Sequence, residues 1–569
     1  MKINGARASD NMRLLVPCLI AAATLAAFLP ALENGFVNWD DDVNFLNNPE
    51  YRGLGWNQLV WMFTTFHMSL YRPVTWVTFG MDYLLWGMEP FGYHLTSLVI
   101  HVANAVVFYR IARRLIGFAF EGAQESEMIL LEISAGFAAL LFSIHPLRVE
   151  AVVWLSARND IVSGFFFLVS IYFYLRYAQP LQAGKTDFKF LTFAVLAYVL
   201  SLLSKGMGIT LPAVLLLLDF YPLRRLGWER GSFFAKDPKK ILLEKLPFIL
   251  LAAAASVLAL VGKQEYHILW SLKEYGAAAR ATQFLFGLAF YLWKTVAPWG
   301  LSPLYEVRGF EPSSWQFVAS VSTVSLVGLI VLMTRKRWPA GPVSALYYAT
   351  ILAPVSGIAQ FGKQAVADRY SYLACLGWAL LLGGCLLGIL QSRNKRRINR
   401  TIWSLGTAAS ALIVIWLGTL TWGQTRVWHD SEVLWKHAIT LDQESSIAHN
   451  QLGNVLADRN ALEEAIEQYR QALRINPANA GAQYNLAMAL DDRGDLDGAI
   501  QHYEDTLRLD PTHAYAHNNL GAILFQRGEL DRAIDHFQQA LKARPELAQA
   551  RDNLSRALAV RAKTEKAAP

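Results

Sequence analysis

Three consecutive carboxylates, Asp40, Asp41 and Asp42, close the run Phe36-Val37-Asn38-Trp39-Asp40-Asp41-Asp42. Adjacent acids repel one another. Near a membrane surface at least one should therefore keep its proton more tightly than a free carboxylate, which suits a general base, or a bound cation should relieve the repulsion. The bland use of such a triplet is a solvated helix cap or a calcium-like surface site. No further carboxylate or histidine is tied to it by spacing, so a divalent cation is possible but no metal site is assigned. Its neighbours point to chemistry. Tyr71-Arg72-Pro73 and Tyr93-His94 follow at the far end of the same stretch, and His101 lies about two helical turns beyond. Arg72 carries the planar fork that holds a phosphate.

A second polar run, from His145 to Asp160, crowds His145, Arg148, Glu150, Arg158 and Asp160 at the edge of an apolar stretch. Lys205 interrupts two apolar runs, and Asp368, Arg369 and Tyr372 open another. Ionisable groups at such depth are costly unless paired or functional. Mutual pairing, for instance of Glu150 with Arg148 or Arg158, is the structural alternative. As a set, Arg72, Arg148, Arg158, Lys205 and Arg369 could hold a phosphate, in a cavity lined by Tyr71, His94, His101, His145, Glu150, Asp160, Asp368 and Tyr372. A lipid-phosphate-linked sugar donor needs such a cavity. The acceptor hydroxyl loses its proton as it attacks the anomeric carbon, and the lipid phosphate leaves with negative charge that cations stabilise. The chain has no Gly-rich phosphate loop and no Gly-x-Ser-x-Gly elbow.

The elements that must position these groups are mostly apolar. Of 569 residues 54% are hydrophobic and 17% charged, and mean hydropathy is +0.26, which argues against a single soluble domain. Candidate spans lie near 14 to 32, 94 to 116, 133 to 147, 158 to 178, 188 to 204, 207 to 221, 245 to 262, 283 to 298, 315 to 334, 342 to 357, 370 to 390 and 402 to 423. Arg224 to Lys245, Arg335 to Arg337 and Arg393 to Arg400 are basic clusters that belong in the cytoplasm, and twelve crossings cannot place all three there. Gln283 to Trp299 is short, contains Lys294 and includes Pro298, so it reads as a re-entrant or interfacial helix. Eleven spans remain. The N-terminus is then cytoplasmic, and the polar runs above share the outer face with the C-terminal domain. Lys2, Arg7 and Arg13 before the first run have a signal-peptide layout, but no clean small-x-small site follows, so the run is read as a retained span.

Cys18, Cys375 and Cys385 all sit in apolar runs, suiting neither a disulfide nor a zinc cluster. The net charge of +7 is unevenly spread. From Gly423 onward 16 Lys and Arg face 21 Asp and Glu, leaving the membrane half at +12 and giving no reason to expect nucleic acid.

After Val427 the pattern becomes polar and helical, and Asn476-Pro477, Asp510-Pro511 and Arg544-Pro545 recur at a 34-residue period. That period predicts tetratricopeptide repeats. Leu452, Gly453, Ala465 and Tyr469 are answered by Leu486, Ala487, Ala499 and Tyr503, then by Leu520, Gly521, Ala533 and Phe537. The predicted domains are 1-423 in the membrane and 424-569 as repeats: a partial repeat 428-445, repeats 446-479, 480-513 and 514-547, and a capping helix 548-561. Gln451, Asn485, Asn519 and Asn553 form a second ladder. An amide at each step could bind a peptide backbone in the concave groove, or could simply tie neighbouring helices together.

At these residues the chain resembles the transmembrane and tetratricopeptide-repeat-containing O-mannosyltransferases, a branch of the GT-C membrane glycosyltransferases, and above all their bacterial relatives. The points of likeness are Phe36 to Asp42 with Asn47, Tyr71-Arg72-Pro73, Tyr93-His94-Leu95 with His101, His145-Pro146 with Glu150-Ala151-Val152 and Arg158-Asn159-Asp160, Ser204-Lys205-Gly206 with Gly208-Ile209-Thr210, Ala367-Asp368-Arg369-Tyr370, and the repeats. The resemblance implies an all-α protein, a polytopic GT-C-type bundle followed by a repeat solenoid. It also implies a polyprenyl-phosphate sugar donor, inverting transfer to Ser or Thr of a protein, and a catalytic acidic pair within Asp40 to Asp42. Two departures stand out. Three acids follow Trp39 where the family commonly has two, and Gly206 stands where Glu often follows the lysine. The sugar itself is not inherited, because related bacterial chains need not use mannose.

The leading expectation is thus a transferase of the bacterial inner membrane whose repeats, outside the cytoplasm, present the acceptor protein. A membrane-anchored scaffold assembling an envelope complex, or a flippase or polymerase for a lipid-linked saccharide, are the other readings.

Overall fold

The computed structural model describes residues 2–120, 127–181, 187–226, 238–266, 271, 273, 275–306, 314–357, 364–394 and 399–567. They form two compact units, Met1–Asp430 and Ser431–Pro569. Parts of two basic clusters, 227–237 and 395–398, lie outside the described residues, as do the side chains of Lys2 and Arg7.

The first unit contains α1 (Lys2–Phe28), α2 (Trp56–Thr64), α3 (Pro73–Trp86), α4 (Pro90–Ala119), α5 (Met128–Ser143), α6 (Val149–Val153), α7 (Arg158–Leu181), α8 (Phe188–Ser204), α9 (Leu211–Phe220), α10 (Pro238–Glu265), α11 (Ala277–Val296), α12 (Trp315–Thr334), α13 (Ala340–Leu352), α14 (Ser371–Ala374), α15 (Leu376–Asn394) and α16 (Arg400–Val427). Among the described residues the strands are one short antiparallel pair, β1 (Tyr305–Glu306) and β2 (Gln364–Val366).

Among the described residues six stretches are long and apolar enough to cross a bilayer: Asn11–Glu33, Pro90–Ala119, Leu155–Ala178, Lys239–Glu265, Trp315–Thr334 and Trp403–Val427. Two bent pairs qualify if each is one span: Met128–Ser143 with Pro146–Val153, at 57°, and Asp368–Ala374 with Leu376–Ser392, at 51°. The other three stretches read as spans are the shorter apolar helices Phe188–Ser204, Gly206–Phe220 and Ala340–Val355. They fall short of the ~20 residues of a full crossing. Residues 283–296 belong to α11, which carries Arg280, Gln283 and Lys294 and is not among the stretches apolar enough to cross. Small residues close the bundle. Ser163 and Ser201 bridge α7 to α8 at 3.1 Å, and the Ser170 hydroxyl donates to the Ala194 carbonyl at 2.7 Å.

Between α1 and α4 the chain builds an aromatic core of its own. Phe45, Tyr51, Met62, Trp76, Phe79, Tyr93 and Leu155 are all fully buried, with Phe45 and Phe79 edge-to-face at 4.7 Å. This core fixes the segment that carries the acidic triplet.

The second unit is a run of paired helices: α17 (Ser431–Leu441), α18 (Ser446–Asp458), α19 (Leu462–Ile475), α20 (Ala480–Arg493), α21 (Leu496–Leu509), α22 (Ala514–Gln526), α23 (Leu530–Ala543) and α24 (Ala548–Ala567). Ser445, Asn479 and His513 cap α18, α20 and α22 in turn, each accepting the N–H three residues on. At two of the small positions glycine lets an aromatic ring approach closely. A Cβ on Gly453 would stand 2.5 Å from the Tyr469 ring, and one on Gly521 2.8 Å from Phe537.

Candidate active site

Asp41 is 1% exposed. Its Oδ1 accepts from the Ser156 N–H at 3.0 Å and the Ser156 hydroxyl at 2.6 Å, and its Oδ2 from the Val37 N–H at 3.2 Å. Asn44 extends the network, donating to Ser156 Oγ at 2.8 Å and accepting from Arg72 Nη2 at 2.6 Å. Arg72 also donates to the Ser156 carbonyl at 3.3 Å and lies over Trp76 at 4.7 Å. Burial pushes the Asp41 carboxyl up to about 7, with the Ser156 and Val37 hydrogen bonds pulling it down. Burial likewise brings the Arg72 guanidinium down to about 10, against the pull of Asp40 and Asp41.

Asp40 is held differently. Its φ of +71° places a non-glycine residue in the left-handed region, so the chain turns sharply between Trp39 and Asp41. Asp40 is half-buried and its side chain lies within electrostatic reach of Arg369 and Arg72. Burial raises its carboxyl, the two arginines oppose that, and Asp42 adds to it. Asp42 is also half-buried and opens a single π-type turn, Asp42–Leu46. The three acids therefore differ in setting: Asp41 is anchored, Asp40 lies within electrostatic reach of two arginines, and Asp42 starts a turn.

Arg369 pairs with Glu150, whose Oε2 also accepts the Arg369 N–H at 2.8 Å, and it donates to Gln364 at 3.0 Å. Its guanidinium lies 5.0 Å over Trp154. Trp154 donates to the Trp39 carbonyl at 2.7 Å and stacks between Trp39 and Trp428. Lys205 Nζ reaches both oxygens of Asp160 at 2.7 Å, and this pair lies within electrostatic reach of Glu150 and Arg369. Asp40, Asp41, Asp42, Arg72, Glu150, Asp160, Lys205 and Arg369 are thus brought into one polar cluster.

The remaining expected residues stand around it in other roles. Arg158 is fully buried in an ion pair with Asp82, donates to Ser97 Oγ at 3.0 Å and the Tyr93 carbonyl at 2.6 Å, and lies 4.2 Å over Phe79. It ties α7 to α3 and α4. Arg148 is buried between Phe142 and Tyr372, and its Nε and Nη1 make no hydrogen bond. His101 bridges the Tyr372 hydroxyl and the Ser143 carbonyl, both at 2.8 Å. His145 accepts the Leu147 N–H at 3.2 Å and faces the Thr295 carbonyl, while His94 faces the Gly35 carbonyl at 3.4 Å. Tyr71 donates to the Phe63 carbonyl, and Asp368 accepts from Tyr305. The pairing expected for Glu150, with Arg148 or Arg158, is instead made with Arg369. Among the described residues no three His, Cys, Asp or Glu side chains converge as metal ligands.

Sequence reasoning passed over Asn44, Ser156 and Asp82. The signal for Asp82 was a lone acid amid the apolar residues of Pro73–Trp86; Asn44 and Ser156 lie within the polar runs but look like ordinary turn residues.

In the repeats, the Asn485 amide donates to Asn450 at 3.0 Å and Asn454 at 2.8 Å, Asn519 to the Tyr484 and Tyr503 hydroxyls, and Asn553 to Asn518 at 3.0 Å. Gln451 accepts from Asn454 at 3.0 Å. Each ladder amide is half-buried; Asn485, Asn519 and Asn553 are tied to the preceding repeat, whereas the Gln451 bond stays within α18.

Two family models, described as Tetratricopeptide repeat and TPR repeat, match residues 484–548 and 453–492. The protein O-mannosyl-transferase Tmtc3 of Drosophila melanogaster is 23% identical over 72% of this chain and 49% of its own length. Human protein O-mannosyl-transferases TMTC1 and TMTC4 are each 24% identical, over 81% and 79% of this chain and 55% and 65% of their own lengths. The chain thus spans about half to two thirds of these relatives. The crystal structure of MamA protein aligns with 24% of this chain and 75% of its own at 21% identity, with a TM-score of 0.23. The chain is therefore a multi-pass membrane protein with C-terminal tetratricopeptide repeats, homologous over most of its length to protein O-mannosyl-transferases.

Proposed function

We propose that the chain is a membrane glycosyltransferase moving a sugar from a polyprenyl-phosphate donor to Ser or Thr of an extracytoplasmic protein. Asp40 is the base. Its carboxylate takes the acceptor hydroxyl proton, the oxygen bonds to the anomeric carbon with inversion, and the bond to the lipid phosphate breaks. Arg369, Arg72 and Lys205 stabilise the charge that leaves on the phosphate. Asp41 keeps its place through Ser156 and Val37, and so fixes the turn that presents Asp40.

Residues 1–423 are the catalytic domain and 424–569 the repeat domain, whose groove presents the acceptor through Gln451, Asn485, Asn519 and Asn553. In this reading the protein sits in a bacterial inner membrane, with the N-terminus cytoplasmic and both the acidic segment and the repeats outside. The observation that carries it is the acidic segment tied to Arg72 through Asn44 and Ser156 and within electrostatic reach of Arg369, in a chain homologous to O-mannosyl-transferases.

Mass spectrometry of extracytoplasmic glycopeptides tests it, comparing cells with the wild-type chain, none, or an Asp40→Asn/Asp41→Asn/Asp42→Asn variant. Modifications confined to wild type are expected. An unchanged set with all proteins inserted would refute the reading and favour a scaffold.

A further inference from the structure

His449, Gln483 and His517 hold the same place in α18, α20 and α22, 34 residues apart. Each side chain reaches back to a carbonyl, of Gln443, Pro477 and Pro511 in turn. Each also meets one side chain on the second helix of its own repeat. In the first repeat His449 Nδ1 faces Gln468 Oε1 at 2.8 Å, and in the second His502 Nδ1 faces Gln483 Oε1 at 2.7 Å. The third repeat differs: two imidazoles meet, His517 Nδ1 and His536 Nδ1, at 2.9 Å.

The protons of that pair follow from its neighbours. A carbonyl only accepts, so His517 donates its Nε2–H to Pro511 at 3.1 Å and leaves its Nδ1 bare. His536 therefore donates its Nδ1–H to His517. One more proton can enter at His536 Nε2 without touching this bond. The next would have to sit on His517 Nδ1, and two N–H groups would then point at each other. The other repeats carry no such limit. A protonated His449 still donates to both Gln468 and the Gln443 carbonyl, and a protonated His502 still donates to Gln483.

Both rings of the pair are half-buried. Asp510 and His513 lie within electrostatic reach of His517, and Arg532 and Asp535 of His536. Asp510 accepts from Thr512, and His513 accepts the Ala516 N–H. Burial lowers the His536 imidazole below its usual value, His517 and Arg532 add to this, and Asp535 opposes it.

We infer that the His517–His536 contact is an acid-sensitive joint, which ties α22 to α23 at neutral pH and opens on acidification, loosening the third repeat while the first two keep their pairings. The unfolded chain takes a proton on each ring near pH ~6.5, and the closed pair takes one fewer. The stability of the contact is thus present above about pH 6.5 and is lost as pH falls below it, with opening favoured about tenfold per pH unit. The joint does not depend on the transferase reading.

Hydrogen–deuterium exchange of the full chain tests this, read by mass spectrometry at about pH 7.5 and about pH 5.5 and scaled by intrinsic exchange rates. His536→Gln installs the pairing of the first repeat, and His517→Gln that of the second. On acidification wild type should lose about tenfold more protection in α22 and α23 than either variant, with α18 and α19 alike in all three chains. Equal loss in wild type and both variants, or no loss in wild type, would overturn the proposal.

Discussion

Arg493, Arg527 and Arg561 of the repeat unit each pair with an acid in the preceding repeat, Glu463, Asp497 and Asp531, and the contact shifts by one repeat each time. In the membrane unit, Arg158 reaches Asp82 and Arg369 reaches Glu150 across long stretches of chain, and both acids are buried. The repeat contacts are copies of one another at the water surface, where each contributes little. Those of the membrane unit are single and desolvated, so removing one partner leaves a buried orphan. Polar residues therefore stabilise the repeats diffusely, whereas in the membrane unit they set one geometry.

Substitutions can break or sharpen that contrast. The largest effect should come from Arg158→Met, which leaves Asp82 buried and unpaired and should cost about 3 to 5 kcal/mol of stability. Thermal unfolding of the membrane unit would report it, and Arg158→Met/Asp82→Leu should recover most of the loss. Next, Asp40→Asn should lower transfer about 100-fold or more while leaving unfolding unchanged.

Ser156→Ala comes third. The Ser156 hydroxyl favours ionised Asp41, so its loss should move that carboxyl further up from about 7 and shift the pH dependence of the membrane unit's unfolding temperature to higher pH. The same raised value has a stability consequence of definite sign. Between about pH 4 and 7 the unfolded chain has lost this proton and the folded chain keeps it, so Asp41's contribution falls as pH rises. Asp495 and Asp510 of the repeats are held low by hydrogen bonds from Gly498 and Thr512, so they stabilise above about pH 4 and lose that only on further acidification. Acidifying from pH 7 to 5 should thus raise the membrane unit's unfolding temperature through Asp41 and leave the repeats unchanged through these two groups.

Asn485→Ala, removing two amide hydrogen bonds to α18, should cost the repeats about 1 to 2 kcal/mol. Arg493→Ala should cost under about 0.5 kcal/mol.

The same contrast explains what the sequence disclosed. The repeats were legible because the packing pattern follows a 34-residue period: Gly453 against Tyr469 is answered two repeats on by Gly521 against Phe537. The charged members of the cluster were also visible, because Arg72, Glu150, Lys205 and Arg369 stand out against apolar surroundings. Their partners were not. Nothing local ties Ser156 to Asp41 or Asp82 to Arg158, because both contacts exist only after distant helices pack. Hydropathy alone also did not show that the apolar helices Gly206–Phe220 and Ala340–Val355 are shorter than a straight span, since composition does not reveal where a helix breaks.

The most direct measurement is the initial rate of sugar transfer by the purified full chain with a polyprenyl-phosphate sugar and a Ser/Thr peptide, comparing wild type, Asp40→Asn and Asp41→Asn. The account predicts a loss of about 100-fold or more for Asp40→Asn, and a smaller loss for Asp41→Asn. Wild-type rates in Asp40→Asn would contradict it.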